Sequence, residues 1–166
     1  MTDRRTDRRT DSEVNDTAAR RIACPQGAGR VLGIDWGEKR IGLAISDPSS
    51  TIAQPLGTLT RRAGKRFPMR QLRSYLDRLL PVEIVVGLPL ESDGSEGPAA
   101  RAAQETAGLI REKTGLPVTL VDERMTTARA LSAVRDLGGR TRRRRGDIDQ
   151  LAATVLLQQH LDSRRP

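Results

Sequence analysis

The sequence predicts an α/β domain built on one mixed sheet of about five strands. Two observations predict it. Three short apolar runs come first and are joined by short polar links, and helical and strand patterns then alternate to the end of the chain. Strands joined by short links pair antiparallel, whereas strand–helix–strand units place their strands parallel. The sheet is therefore expected to be antiparallel at first and parallel later, with helices packed on both faces.

The sheet begins with a predicted hairpin in the segment VLGIDWGEKRIGLAISD, residues 31–47. Two apolar runs in it have the length of strands, and the polar link between them contains Gly37, as a tight turn requires. Residues 56–60 alternate and predict an edge strand. Asp35 stands at the end of the first strand, a common position for a catalytic or metal-binding acid, although an Asp there also simply starts a turn.

The rest of the chain alternates between helices and strands. Apolar side chains at helical spacing predict a helix over residues 69–80, which Pro81 ends. A β-branched run at residues 82–88 predicts a central strand buried on both faces. The remaining predicted elements are helices at 98–113, 127–137 and 147–162 and a strand at 117–121.

Residues 1–29 are predicted to be a disordered tail that precedes one folded domain at residues 30–166. The tail contains the repeat TDRRTDRRTD and buries too little apolar surface to offset its ordering entropy. Its Cys24 is the only cysteine, which excludes an internal disulfide and fits a reducing compartment. No apolar run approaches the roughly 18 residues of a membrane span. We expect a cytoplasmic protein without a membrane partner, as a monomer or a homodimer.

The net charge of +8 indicates a polyanionic partner, with nucleic acid as the first candidate and solubility alone as the other interpretation. Aromatic residues make up 2% of the chain, so phosphate contacts are expected rather than base stacking. The densest basic segment is residues 140–145, either a solvated charge run or a phosphate-gripping loop. The arginines of this segment proposed to bind nucleic acid are Arg142, Arg143, Arg144 and Arg145.

Three acids stand at ends of elements that are expected to meet at one edge of the sheet: Asp35, Glu123 after the last strand, and Asp149 at the start of the last helix. Mg²⁺ and Mn²⁺ prefer such carboxylate oxygens, and one or two ions activate water for attack on a phosphodiester. Acids at a helix start also suit the helix dipole, so Asp149 has a purely structural explanation as well. Arg40 and Arg124 are placed beside these acids and are interpreted either as phosphate ligands or as ion-pair partners.

Four segments, IDWGEKRIGLAISD, VVGLPLESDGSEG, VDERMTT and DIDQLAATVLL, resemble in order and spacing the bacterial pre-16S rRNA nuclease family. This family is also called Holliday-junction-resolvase-like and has an RNase H-like fold. The resemblance covers residues 30–161. It implies that Asp35, Glu123 and Asp149 are the catalytic acids and hold the metal. Asp147 is a weaker substitute for Asp149.

One departure from the wider fold concerns the fourth strand. Resolvases of that fold carry an acid near its end, whereas this strand ends in Gly87-Leu88-Pro89-Leu90. The second acid therefore has to come from Glu123, while Asp122 faces the opposite side of its strand. The only histidine, His160, is expected at the surface or as a helix-dipole partner late in the last helix. No histidine general base is then available, which favours a metal-activated water.

The resemblance implies a nuclease that hydrolyses phosphodiesters with Mg²⁺ or Mn²⁺, and the 5′ end of pre-16S rRNA is the favoured substrate. One alternative is a resolvase of four-way DNA junctions, for which symmetric cleavage requires a dimer. Another is a non-catalytic RNA-binding or transcription-associated factor of the same fold. A sugar-kinase-like ATPase, suggested by Asp35-x-Gly37, is set aside because the chain is too short for two lobes that close around ATP.

Overall fold

A computed structural model describes residues 29–61, 66–123 and 142–165, with only the backbone described for residues 142–145. Five strands and three helices lie in these ranges. They are β1 (Val31–Asp35), β2 (Arg40–Ser46), β3 (Ala53–Thr60), α1 (Met69–Leu79), β4 (Glu83–Leu88), α2 (Pro98–Thr114), β5 (Val118–Asp122) and α3 (Arg142–Ser163).

The five strands form one sheet in the order β3-β2-β1-β4-β5. The first three strands pair antiparallel, whereas β4 and β5 run parallel to β1. The predicted RNase H-like mixed sheet is confirmed. In this topology the ends of β1, β3, β4 and β5 and the start of β2 lie at one edge of the sheet, called here the carboxyl edge and marked by Asp35, Arg40, Thr60, Leu88 and Asp122.

Helices cover both faces of the sheet, as the sequence predicts. Along β1 the side chains alternate between these faces, because successive residues of a strand point to opposite sides. Val31 packs with Ala153 and Leu157 of α3 in one buried cluster. Leu32 and Ile34 belong to a second and larger cluster on the other face, which also contains buried residues of both remaining helices: Leu72 and Leu76 of α1, and Ala107 and Ile110 of α2. No helix in the described ranges is long and apolar enough to span a lipid bilayer.

Helix α3 begins earlier than the sequence predicts. It starts at Arg142 rather than Asp147, so the prediction of a loop over residues 142–145 is wrong. Arginine is among the better helix formers, which explains why the basic run continues the helix instead of interrupting it. Strand β3 likewise starts at Ala53 and contains Pro55. Proline is tolerated there because β3 is an edge strand.

Two predicted features lie outside the described residues. They are the helix at residues 127–137 and the disordered tail at 1–29, of which only Gly29 is described. The division into a tail and a domain at residues 30–166 therefore stays a prediction.

A buried polar cluster joins the C-terminal end of α3 to the start of β4, at the edge opposite the carboxyl edge. Glu83 accepts hydrogen bonds from Arg164 at 2.6 and 3.0 Å and from Thr119 at 2.9 Å. The Nε2 atom of His160 lies 3.4 Å from Glu83 Oε1. His160 is 7% exposed, so the expectation of a surface position is wrong. The Glu83 carboxylate at the start of β4 lies against the His160 imidazole ring at this buried position.

The contacts of Glu83 change its pKa. Burial raises the pKa, but the hydrogen bonds from His160, Arg164 and Thr119 and the charge of Arg164 outweigh it and lower the pKa to about 2. A carboxyl group whose pKa is lowered on folding stabilises the fold above its unfolded pKa. That contribution disappears as the pH falls through the folded pKa. The pH window runs here from the ordinary value of 4.5 to about 2.

We therefore expect acid to destabilise this edge of the domain through Glu83. The substitution Glu83→Gln is expected to lower the free energy of unfolding at neutral pH by on the order of 2 kcal/mol, with solvent screening near Arg164 taken into account. The difference from wild type should shrink toward zero near pH 2, as measured by urea unfolding at several pH values. Glu112→Gln, at an exposed site, is the matched control. An equal difference in unfolding free energy between Glu83→Gln and wild type at neutral pH and near pH 2 would contradict the role of Glu83.

Candidate active site

Asp35 is the last residue of β1 and is fully buried. Its direction follows from Gly33, two residues earlier on the strand. A Cβ atom on Gly33 would lie 2.9 Å from Leu157 Cβ and 3.3 Å from the carbonyl oxygen of Ala153. Gly33 therefore faces α3, and because residues two apart share a face, Asp35 also projects to the α3 side of the sheet.

Gly42 has no side chain and therefore allows α3 to approach the sheet closely beside Asp35. It is the residue of β2 that pairs with Asp35. A Cβ atom on Gly42 would lie 1.9 Å from the carbonyl oxygen of Asp149, a distance that no side chain tolerates. Neighbouring strands are about 4.8 Å apart, so the backbone of Asp149 sits roughly one strand spacing from that of Asp35 in the plane of the sheet.

The Asp149 side chain is fully buried and forms an ion pair with Arg40. The distance from Arg40 Nε to Asp149 Oδ2 is 3.1 Å, and the arginine side chain is 21% exposed. Arg40 stands two residues before Gly42 on β2 and thus faces α3 as well. The structure gives Arg40 the ion-pair role that the sequence left open beside phosphate binding.

The structure also distinguishes the two acids of α3. Asp147 is exposed, whereas Asp149 faces the sheet. Because α3 begins at Arg142, Asp149 lies about two turns inside the helix. The helix dipole acts mainly within the first turn and does not account for a buried acid at this depth. The structural explanation of Asp149 therefore rests on its pairing with Arg40.

Glu123 follows β5 and reaches the same face from the other side of β1. It is 4% exposed, while Asp122 is exposed. A Cβ atom on Gly87 would lie 1.8 Å from Glu123 Oε1 and 3.1 Å from Leu156 Cδ2 of α3. The carboxylate thus lies over Gly87 of β4, against α3. Since Ile34 pairs with Val86, Gly87 is level with Asp35 on the neighbouring strand.

This arrangement explains the departure at the fourth strand. An acid at position 87 would project to the α3 side at the level of Asp35. Gly87 leaves that space empty, and the Glu123 carboxylate fills it from the adjacent strand. Gly87 and Glu123 are therefore complementary, and the only signal of this relation in the sequence is the glycine at the end of the predicted fourth strand.

The three acids therefore share one face at the carboxyl edge, with Asp35 in the middle, Asp149 over β2 and Glu123 over β4. Their donor atoms are all carboxylate oxygens, which suits a hard cation such as Mg²⁺ or Mn²⁺. Within residues 29–61, 66–123 and 142–165, however, no group of three or more His, Cys, Asp or Glu side chains is arranged to hold a metal ion. The three acids suit a metal ion in the type of their donor atoms and in the face of the sheet that they share. Asp149 forms an ion pair with Arg40.

Trp36 and Arg61 border the acids at the carboxyl edge. Trp36 follows Asp35 directly and is 9% exposed, in the link between β1 and β2. The guanidinium carbon of Arg61 lies 5.5 Å from the centre of its ring, a cation–π geometry. Arg61 was not among the predicted site residues, and no motif distinguishes it from its basic neighbours.

For the remaining residues predicted to bind nucleic acid, the structure describes either the backbone alone or nothing. Arg124 lies outside the described residues. For Arg142, Arg143, Arg144 and Arg145 the backbone is helical, and their side chains are not described. Their role in binding nucleic acid stays a prediction.

The mixed five-stranded sheet with helices on both faces is an α/β fold of the RNase H-like class. A family model described as "RuvX: Holliday junction resolvase" matches residues 29–163. The chain belongs to this family, and the resemblance seen in its motifs is confirmed.

Relatives of high coverage carry one name, "Putative pre-16S rRNA nuclease". That of Lachnospira eligens is 38% identical over 140 residues, covering 82% of this chain and 99% of the relative. That of Mycobacteroides abscessus is 41% identical over 140 residues, covering 84% of each chain. A solved structure of T. thermophilus RuvC in complex with a Holliday junction substrate has a TM-score of 0.48 at 18% identity, covering 82% of this chain and 95% of that chain.

We expect Gly42→Ala to dislodge α3 from the sheet, because the new methyl group would meet backbone that has no rotamer to change. The expected loss is roughly 3 kcal/mol in the free energy of unfolding, measured in urea. Gly108→Ala is the matched control, since that helical glycine is exposed with nothing within 4 Å of an added Cβ. It should stabilise α2 by up to about 1 kcal/mol. Wild-type stability for Gly42→Ala would contradict the close contact.

Proposed function

We propose that this protein is a metal-dependent endonuclease that cleaves structured RNA, with the 5′ region of pre-16S rRNA as its substrate. The observation that carries the proposal is the burial of Asp35, Glu123 and Asp149 on one face of the sheet at the carboxyl edge. Buried carboxylates are costly to keep in a fold unless cations or hydrogen bonds compensate them, so three of them at one edge favour a functional explanation.

Asp35 is the residue best suited to hold a metal ion in a fixed place. It stands on the central strand of the sheet, between β2 and β4, and a strand positions a side chain more rigidly than a loop. Glu123 comes from the segment after β5 and is held over Gly87 by the packing of β4 against α3. Mg²⁺ or Mn²⁺ bound by these acids would supply an activated water and would stabilise the charge of the leaving oxygen.

Arg40 serves the proposed site by offsetting charge. Its guanidinium, 3.1 Å from Asp149, neutralises one of the three acids and thereby reduces their mutual repulsion. It also holds the Asp149 side chain on the sheet side of α3. Arg40 therefore positions an acid, and its binding of phosphate stays a prediction.

The choice of RNA over DNA rests on the names of the relatives, and the charge supports a nucleic-acid substrate in general. The curated relatives are named for pre-16S rRNA. A net charge of +8 suits a polyanionic substrate of either kind. The family model's description as a Holliday junction resolvase favours a second candidate substrate, the four-way DNA junction. Both candidates use the same acids, so the substrate has to be tested side by side.

The first experiment offers pre-16S rRNA fragments and a synthetic four-way DNA junction to the purified protein with Mg²⁺, Mn²⁺ or EDTA. RNA cut near the mature 5′ end, and only with metal, is the expected result. Junction cutting alone would replace RNA by DNA as the substrate. Binding of both without cleavage of either would overturn the nuclease proposal in favour of a non-catalytic binding factor.

Asp35→Asn is expected to lower the cleavage rate about a thousandfold, because several kcal/mol of charge stabilisation depend on the ion it holds. Binding of RNA and the melting temperature should stay near the wild-type values. Asp147→Asn is the matched control, since it removes the same charge from an exposed position of α3 and should leave cleavage unchanged. A loss of binding or melting temperature in step with cleavage would make Asp35 structural.

Gly87→Ala tests whether the position of Glu123 matters. The added methyl group would occupy the place of Glu123 Oε1, the far end of a flexible side chain, and Leu156 would have to give slightly. The fold should therefore persist while the carboxylate moves, lowering the cleavage rate at least about tenfold. Thermal melting separates this effect from unfolding. Wild-type cleavage by Gly87→Ala would count against Glu123 as a catalytic residue.

A further inference from the structure

A groove opens between β3 and α1, at the side of the sheet that carries the edge strand. Its volume is about 350 Å³, and it is lined by Thr58, Leu59, Gln71, Ser74, Tyr75 and Arg78. The guanidinium carbon of Arg78 lies 5.3 Å from the centre of the Tyr75 ring. The ring face is thereby covered by a cation, so the groove offers positive charge and polar groups rather than a platform for stacked bases.

The exposed surface of α1 beside this groove is basic. Arg66, just before α1, and Arg70, Arg73 and Arg78 within it are exposed. In the sequence, residues 61–78 contain seven Lys or Arg residues and one acid, Asp77, which gives a net charge of +6. Residues 140–145 carry a comparable +5 elsewhere in the chain. The distribution of charge favours an anionic ligand on this surface.

The groove begins at the same edge of the sheet as the three acids. Thr60, at the end of β3, pairs with Arg40 at the start of β2. The side chain of Gln71 in turn contacts the carbonyl oxygen of Thr60 at 3.5 Å. Helix α1 therefore starts near the carboxyl edge, two strands from Asp35, which is a lateral distance of about 10 Å.

The length of the groove suits a few nucleotides. From Gln71 to Arg78 the helix advances seven residues, or about 10 Å at 1.5 Å per residue. This length accommodates only a short stretch of a nucleic-acid strand. Gln71 and Arg78 along it carry N–H donors of the kind that bind phosphate oxygens, whereas the Ser74 hydroxyl donates to the carbonyl oxygen of Gln71 at 2.7 Å.

We propose that the β3–α1 groove and the arginines of α1 bind the phosphate backbone of the RNA that flanks the cleavage position. This inference rests on the proposed function, because it takes the RNA cut at the carboxyl edge as the ligand. Binding through phosphates is insensitive to base sequence and weakens steeply with salt. The groove thus extends the substrate contact from the acids, past the end of the edge strand, onto the opposite face of the sheet.

The test compares two double variants that each remove two positive charges. Arg70→Gln with Arg78→Gln alters the groove surface, whereas Arg101→Gln with Lys113→Gln alters exposed positions on α2. Both are made in the Asp35→Asn background, and binding is measured without metal at several salt concentrations. The probes are a labelled RNA stem from the 5′ region of pre-16S rRNA with its flank and the same stem without it.

The groove variant is expected to bind the flanked stem about tenfold more weakly. Its salt slope should be smaller by about two, because each arginine removed leaves one phosphate without its cation. The α2 variant should bind like its parent. The flankless stem should be bound equally by all three proteins. Equal weakening by both double variants would reduce the effect to net charge and overturn the proposal, as would unchanged binding by the groove variant.

Kinetics with Asp35 intact separate this proposal from the proposed function. The groove variant should show a raised KM for flanked RNA and an unchanged kcat, since the acids are untouched. If wild type cleaves RNA and the groove variant has the wild-type KM, the groove proposal is overturned and the proposed nuclease function is retained. Absence of any RNA cleavage by wild type, together with groove-dependent binding, would overturn the nuclease and retain the groove as an RNA-binding surface.

Discussion

The contact of α3 with the β1–β2 hairpin is the constraint on which the rest of the site depends. Gly33 and Gly42 have no side chains, so the helix backbone comes within contact of the sheet at Ala153 and Asp149. Small residues on the helix, Ala152 and Ala153, are fully buried at this interface. A helix held one side-chain layer farther away would carry Asp149 out of reach of Arg40 and away from Asp35. Close packing here thus sets the spacing of the acids.

The same helix is tied down electrostatically near both ends. Arg40 pairs with Asp149 near the carboxyl edge, and Glu83 binds Arg164 and faces His160 at the opposite edge. Each tie joins a group of α3 to a strand of the sheet, so the helix is fixed in register as well as in distance. The exposed Arg164 is screened by water, whereas Arg40 and Asp149 are largely removed from it. Loss of the ion pair at the carboxyl edge should therefore cost more stability than loss of the other contact, because Asp149 would remain buried without its cation.

Two glycines near strand ends make room for two of the three acids in this fold. Gly42 admits the backbone of Asp149 on one side of Asp35, and Gly87 admits the carboxylate of Glu123 on the other. Gly87 and Glu123 act together here, since the glycine of β4 leaves the space that the carboxylate from the end of β5 fills. The Glu123 side chain reaches from the end of β5 to a position over Gly87 of β4.

The mixed sheet and the helices α1 and α2 could be predicted from the sequence alone, as could the position of Asp35 at the end of β1. These follow from local signals: apolar periodicity, Pro98 at the start of α2, Gly115 at its end, and an acid at the end of a short apolar run. Only the tertiary structure decided that Asp149 rather than Asp147 faces the sheet, that Arg40 pairs with an acid, and that His160 is buried. Those outcomes depend on the rotation and close approach of α3, which long-range packing imposes and local sequence does not encode.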